Sequence, residues 1–394
     1  MALVPRMQEF GTTVFAEMTQ RALQFDAVNL GQGFPDTDGP AELIEIAAHG
    51  LRSGLNQYAP ARGLPVLRQA VADHQRRFYD IPLDPDTQVL VTVGATEAIA
   101  ASILALADTG DEVLVIEPYY DSYAACIALA GAQRRSVSLR FPDLALDVDA
   151  LRAAVTDRTR VLLLNTPHNP TGKVFSREEL DAVAAIALEH DLVVISDEVY
   201  EHLVFDGLRH IPISTLPGMA ERTLTISSVG KSFSLTGWKT GWVSGPAELV
   251  GAVASVKQFL TFVGVTHVQP AVAHGLGLPD EFFTGFAEQL QGKRDLLVAA
   301  LTDVGVPVSP CQGTYFVIAD FAGHGVTDAV EFCRRLPQDV GVVGVPVSAF
   351  CDHPEQVASL VRFAFCKQDD VLKEAARRLR SLRNDGNHSR VMTP

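Results

Sequence analysis

The chain has 394 residues, 47% hydrophobic and 20% charged, enough apolar material for two domains or one large catalytic unit and too much for a disordered protein. A formal net charge of -15 argues against nucleic acid or an anionic membrane as partner, while a small anionic ligand stays open if cations gather locally. Residues 1–10 hold Pro5, Arg6, Gln8 and Glu9 and form no signal-peptide apolar stretch, and the longest apolar run, 98–107, is broken by Ser102 and too short to cross a bilayer. The five cysteines (Cys126, Cys311, Cys333, Cys351, Cys366) are odd in number and show no C-x-x-C spacing, as expected of free thiols in a reducing cytoplasm; the histidines form no H-E-x-x-H pattern, so no metal site is expected.

From residue 88 onward strands and helices alternate. The pattern predicts strands at 88–93, 112–116, 161–164, 192–196, 223–227 and 242–244, with helices at 96–108, 119–130 and 176–190 between them. Strands that are apolar throughout and separated by helices imply an α/β fold whose mainly parallel sheet is covered on both faces. Further on, a helix at 288–301, strands at 315–319, 341–345 and 361–365, and helices at 327–336 and 370–382 predict a smaller α+β unit. The polar residues 384–394 read as a frayed tail.

In an open α/β sheet ligands bind beyond the carboxyl ends of the strands, and the informative polar residues fall there. Gly94-Ala95-Thr96-Glu97 opens a helix after a strand, where free N–H groups suit a phosphate. Asn165-Thr166-Pro167-His168-Asn169-Pro170-Thr171-Gly172 is a stiff loop in which either X-Pro bond can be cis. Asp197 ends a strand, with Tyr200 one turn on. Lys231 follows the strand 223–227 and precedes a second lysine in Gly237-Trp238-Lys239-Thr240-Gly241. Loss of hydration there lowers a lysine pKa and leaves a nucleophilic amine able to form a Schiff base with an aldehyde, while Lys239 keeps its charge for an anion. Aldehyde and phosphate together describe pyridoxal phosphate. Taken singly, each feature has a plainer reading: a surface lysine, an ordinary turn, a helix-capping aspartate. The S-x-x-K and K-T-G spellings at 228–231 and 239–241 imitate β-lactamase motifs, but the order is wrong and S-D-N is missing.

Read together, residues 29–36, 165–172, 196–200 and 228–242 resemble the class I/II aminotransferases, fold type I pyridoxal phosphate enzymes, in the branch of kynurenine, glutamine, methionine and N-succinyldiaminopimelate aminotransferases. The similarity runs from about residue 11 to 382. It implies pyridoxal 5′-phosphate as cofactor, Lys231 as the Schiff-base lysine and Asp197 as the partner of the pyridine nitrogen. Asn169 and Tyr200 would bond the ring phenolate, Tyr120 would stack on the ring, and Ala95, Thr96, Ser228 and Lys239 would cradle the phosphate. Tyr58 would reach the phosphate of a neighbouring subunit, implying a homodimer with shared active sites. Arg362, Gly33 and Asn165 would hold the substrate α-carboxylate, and Phe15 would cover the side chain. Tyr315 is open between pocket and core, and His168 reads as a spacer.

The same resemblance implies an N-terminal arm with part of the small domain at 1–45, a large cofactor-binding domain at 46–284, a small domain at 285–384 and a tail at 385–394. The implied activity is ping-pong transamination between an L-amino acid and a 2-oxo acid, with N-succinyl-LL-diaminopimelate and 2-oxoglutarate as one substrate pair. Kynurenine-, glutamine- or methionine-type transamination and C–S β-elimination are the alternatives. No second arginine appears in 261–269, where an aspartate-type enzyme would need one for a side-chain carboxylate. A DNA-binding regulator is disfavoured by the negative charge and by a family pattern that begins near residue 11.

Overall fold

Twelve strands are found among the described residues: β1 (Val28–Asn29), β2 (Val89–Thr92), β3 (Glu112–Glu117), β4 (Gln133–Ser138), β5 (Thr159–Asn165), β6 (Val193–Asp197), β7 (Thr223–Ser228), β8 (Gly241–Ser244), β9 (Phe316–Asp320), β10 (Val342–Val343), β11 (Val345–Pro346) and β12 (Leu360–Ala364). They are seen in a computed structural model that describes residues 4–11 and 14–382. The tail expected at 385–394 lies outside the described residues.

Seven strands make one mixed sheet in the order β2-β8-β7-β6-β5-β3-β4. From β4 to β7 every pairing is parallel, whereas β8 runs antiparallel to both β7 and β2. The two-residue period of the strands explains how both faces are buried. Val113, Val115, Val161 and Leu163 join one core with helices 94–106, 121–130 and 247–260. Leu114, Ile116, Leu162 and Leu164 join another with helix 177–189, whose start is fixed by a Ser176/Glu179 capping box. A third core forms where helices 41–52, 65–79 and 269–276 pack on Val89, Val91 and Trp242.

The smaller sheet is antiparallel, β11-β12-β9, and β1 pairs in parallel with β10. Both share a core with residues of helices 14–24, 280–302, 329–339 and 369–379, including Met18, Leu297, Leu336 and Leu379. The single strand expected at 341–345 is instead two short pieces in different sheets. The change of sheet falls at Gly344, where an added Cβ would lie 2.5 Å from Val361 and 2.7 Å from Phe363, so only glycine lets the backbone pass so close. The helix expected at 288–301 extends over Asp280–Thr302. Strand β4 had no apolar signature because it is a polar edge strand, QRRSVS, with alternately exposed residues. Among the described residues no helix is long and apolar enough to cross a membrane.

Because β8 runs against its neighbours, its start at Gly241 lies beside the ends of β2 and β7: Gly241 registers with both Thr92 and Ser228. Strands β5 and β6 end on the same edge, with Asn165 opposite Asp197. One edge of the sheet therefore gathers residues 94–96, 165, 197, 228–231 and 239. Trp242, 1% exposed at the centre of β8, holds this arrangement from below. Trp242→Ala is expected to cost about 3–5 kcal/mol of stability, read from the midpoint of urea unfolding followed by circular dichroism; an unchanged midpoint would contradict the packing role.

Candidate active site

A cavity of about 350 Å³ opens at this edge, lined by Phe15, Gly33, Ala95, Thr96, Tyr120, Asn165, Asn169, Asp197, Tyr200, Ser228, Lys231, Lys239 and Arg362 among others. Every residue to which the resemblance gave a site role lines it except Tyr58, which is 80% exposed outside the cavity. His168 also lies away from it: the ring is buried, pairs through Nδ1 with Thr171 Oγ1 at 2.7 Å, and is held neutral by burial, which lowers its pKa to about 3.

Lys231 sits in the single helical turn Val229–Ser232 that follows β7. Its Nζ donates to the Tyr315 hydroxyl at 2.7 Å, and that hydroxyl donates in turn to the Gly33 carbonyl at 2.7 Å. Burial lowers the lysine pKa to about 8. Asp197, 4% exposed, accepts a hydrogen bond from the Tyr123 hydroxyl at 2.6 Å and a longer one from the Val199 amide at 3.3 Å. Burial raises its pKa to about 6 despite those donors. Tyr200 is buried edge-on against Tyr315, and burial pushes its phenol well above the ordinary value.

The loop after β5 is fixed by Asn165. Its Oδ1 accepts from the Asn169 amide at 2.7 Å and its Nδ2 donates to the Asp197 carbonyl at 2.8 Å, tying this loop to the next strand end. The Thr166–Pro167 and Asn169–Pro170 bonds are both cis. Arg362, on β12, is 2% exposed. Its guanidinium donates to the Gly31 carbonyl at 2.8 Å and to Asn169 Oδ1 at 3.2 Å, while its buried Nε has no partner. Aromatic rings enclose it: Phe316 at 4.1 Å, Phe350 at 4.7 Å and Phe15 at 5.3 Å from the guanidinium carbon. Burial lowers its pKa to about 10, which leaves it charged at neutral pH.

At the phosphate end of the expected site, helix Gly94–Leu106 begins against Lys239. An added Cβ on Gly94 would sit 3.3 Å from Lys239 Nζ, and one on Gly241 would lie 2.8 Å from the Gly94 carbonyl carbon. The helix start, a lysine and the Ser228 and Thr96 hydroxyls thus frame a recess suited to an anion. An anion recess, an aromatic ring at Tyr120, a buried carboxylate and an amine in one cavity fit a phosphorylated pyridine aldehyde. Sequence reading missed Tyr123, and it left Tyr315 undecided. Tyr123 stands three residues beyond Tyr120, one helical turn, and that spacing was the available signal. For Tyr315 the deciding fact is a contact across 84 residues to Lys231, which no local pattern carries.

This chain belongs to the aminotransferase class I and II family, whose model matches residues 26–379, and it is an aminotransferase. Family membership implies pyridoxal 5′-phosphate. The chain is 53% identical, over 95% of its length and 97% of the relative's, to a probable N-succinyldiaminopimelate aminotransferase of Mycobacterium tuberculosis. It is 41% identical to the methionine aminotransferase of Escherichia coli, over 96% and 99% of the two chains. The solved structure of the N-succinyldiaminopimelate aminotransferase from Mycobacterium tuberculosis superposes with a TM-score of 0.94, covering 97% of this chain and all of that one.

With a Lys231 pKa near 8, the neutral fraction of the amine rises about tenfold per pH unit below that value and levels off above it. The rate at which cofactor-free protein takes up pyridoxal phosphate covalently, read from its visible absorbance, is expected to follow that curve. Tyr315→Phe removes an acceptor that favours the ammonium form, so the plateau should begin at lower pH. A plateau reached only near the ordinary lysine value would show that the amine is not desolvated.

Proposed function

We propose that the chain is a pyridoxal phosphate-dependent transaminase that transfers the amino group of N-succinyl-LL-diaminopimelate to 2-oxoglutarate by a ping-pong sequence. The observation that carries this reading is the convergence in one cavity of a desolvated amine, a buried carboxylate and a buried guanidinium that forms no ion pair among the described residues, on Lys231, Asp197 and Arg362. The substrate pair is supported by the 53% identity to the mycobacterial relative. The split into an arm at 1–45, a large domain at 46–284 and a small one at 285–384 belongs to the same reading, supported by separate cores on the two sheets.

When bound, pyridoxal phosphate supplies an aldehyde for the substrate amine and a ring that takes up the electron pair left at Cα. The chain's own residues do the rest. Ala95, Thr96, Ser228 and Lys239 hold the phosphate, Tyr120 packs on the ring, and Asn169 and Tyr200 bond its phenolic oxygen. Asp197, fixed by Tyr123, keeps the proton on the ring nitrogen. Arg362 forks onto the substrate α-carboxylate, satisfying the Nε that has no partner among the described residues. Gly33 and Asn165 shape the rest of that contact, and Phe15 closes over the side chain. Lys231 removes the Cα proton as general base and returns it as general acid, with Tyr315 positioning the free amine.

One observation favours a second donor class. The lining aromatic residues Phe15, Phe34, Tyr120 and Phe316 suit an apolar or thioether side chain, and the methionine aminotransferase of Escherichia coli is 41% identical. A donor panel with 2-oxoglutarate, following the cofactor's spectrum in single half-reactions, separates the two. N-succinyl-LL-diaminopimelate is expected to convert the cofactor with a kcat/KM at least about tenfold above methionine, and the reverse ranking would reassign the donor. Lys231→Ala should bind the donor yet leave Cα–H exchange with solvent abolished; exchange at the parental rate would remove Lys231 from the proton transfer.

Oligomeric state and location belong to the same reading. Tyr58, Phe259, Leu260, Phe262 and Val265 are exposed, with Phe259 at 84% and Tyr58 edge-on to Phe262 at 5.3 Å. An apolar patch of this kind suits a homodimer in which Tyr58 enters the partner's site. The free cysteines suit a cytoplasmic setting. Phe259→Asp is expected to shift the sedimenting species from dimer to monomer and to lower activity with it; a wild-type chain that sediments as a monomer at assay concentration would refute shared sites.

A further inference from the structure

Next to the turn that carries Asp197 and Tyr200, and outside the lining of the cavity, lies a second group of polar side chains. His74 comes from helix Pro65–Tyr79, and Glu201 and His202 follow β6 by a few residues. One donor atom from each of the three lies within 4.8 Å of the other two. The closest approach is between like atoms, His74 Nε2 and His202 Nε2 at 2.8 Å. His74 is 2% exposed and Glu201 4% exposed.

The group is under-satisfied as a hydrogen-bonded cluster. Two neutral imidazoles facing each other through Nε2 can share one proton at most, so one ring offers a lone pair and the other must be the donor. Glu201 Oε1 accepts from Ser227 Oγ at 2.8 Å and the Tyr79 hydroxyl also hydrogen-bonds the carboxyl, while Oε2 has no partner of ordinary hydrogen-bond geometry among the described residues. Among the described residues no lysine or arginine forms an ion pair with that carboxyl, and burial raises its pKa to about 7. Its neighbours Glu198 and His210 are committed to each other at 2.7 Å. Burial disfavours the protonated imidazoles and so maintains the lone-pair form that ligates metals.

We propose that His74, Glu201 and His202 form a binding site for a divalent transition-metal ion of the zinc class, separate from the cofactor cavity. Such an ion would accept lone pairs from both Nε2 atoms and hold the Glu201 carboxyl in its ionised form. Two imidazoles and one carboxylate with a position left for water is a ligand set zinc uses. Ligand bonds of about 2.0–2.2 Å at tetrahedral angles put donor atoms about 3.4 Å apart, so the two Nε2 atoms would open from 2.8 Å and the carboxylate oxygen would close in from at most 4.8 Å. Phe78 and Phe283 pack around the two rings, with Phe283 stacked on His202 at 4.2 Å, and give the site an apolar shell. His202 is only partly buried, which leaves an entry path. Occupancy would pin the helix at 65–79 to the 197–202 turn. The separation of 128 residues between the two histidines explains why no sequence spacing announced the site.

The test uses the tag-free, cofactor-loaded protein, stripped with a chelator and desalted, then titrated with Zn2+ by calorimetry and with Co2+ by visible absorption. One equivalent per chain with a dissociation constant in the micromolar range or tighter, a d–d spectrum of four-coordinate cobalt and a raised Tm are expected. His74→Gln and His202→Gln, each checked for fold by circular dichroism and for cofactor absorbance, should each weaken that binding at least tenfold while keeping basal transamination without added metal. Wild-type protein that binds neither ion, or folded variants that bind as the wild type does, would overturn the proposal and leave the three residues as a hydrogen-bonded structural cluster.

Discussion

A buried guanidinium that forms no ion pair among the described residues is the constraint around which this molecule is organised. Arg362 is almost wholly removed from water, yet its close contacts include three aromatic rings, one backbone carbonyl and one side-chain amide oxygen, with Asp121 acting only through its charge. Charge in such a place is expensive unless it is compensated, and ring faces and carbonyl dipoles compensate only part of it. The remainder appears as a lowered pKa and an Nε with nothing to bond. An incoming α-carboxylate completes the set. The free protein thus holds a site whose electrostatics are finished by its substrate.

Arg362 also joins parts of the chain that are far apart in sequence. It stands on β12, reaches the loop after β1 through Gly31, and reaches the loop after β5 through Asn169. Phe15, on the N-terminal helix, lies over it. Lys231 is linked to the same loop from the other side, because the Tyr315 hydroxyl bridges its amine to the Gly33 carbonyl. Residues 31–33 therefore sit between the amine and the guanidinium. A backbone carbonyl on each side fixes the separation of the two cations more firmly than flexible side chains could.

The large sheet supplies the other half of the geometry. Six strands end on one edge and β8 begins there, which places helix start, lysine and carboxylate around one recess. Burial does opposite things to the groups it gathers. It pushes Lys231 toward the neutral amine and Asp197 toward the neutral acid. A cationic ring nitrogen beside Asp197 would restore its charge, which is the role the carboxylate has in this chemistry.

Much of this was legible in the sequence for local reasons. Apolar runs marked the central strands β3, β5, β6 and β7, and the polar residues just past their ends marked the site, because in such sheets ligands meet the carboxyl edge. Lys231, Asp197 and Asn169 could be singled out by type and position alone, and their joint resemblance to one family made the chemistry specific. What the chain could not announce locally depends on contacts between distant segments. The antiparallel direction of β8, the break at Gly344 that sends β10 and β11 to different sheets, and the bonds from Tyr123 to Asp197 and from Tyr315 to Lys231 all required the folded molecule. So did the pairing of His74 with His202. Periodicity reports which face of an element is buried; only packing decides which partner is buried against it.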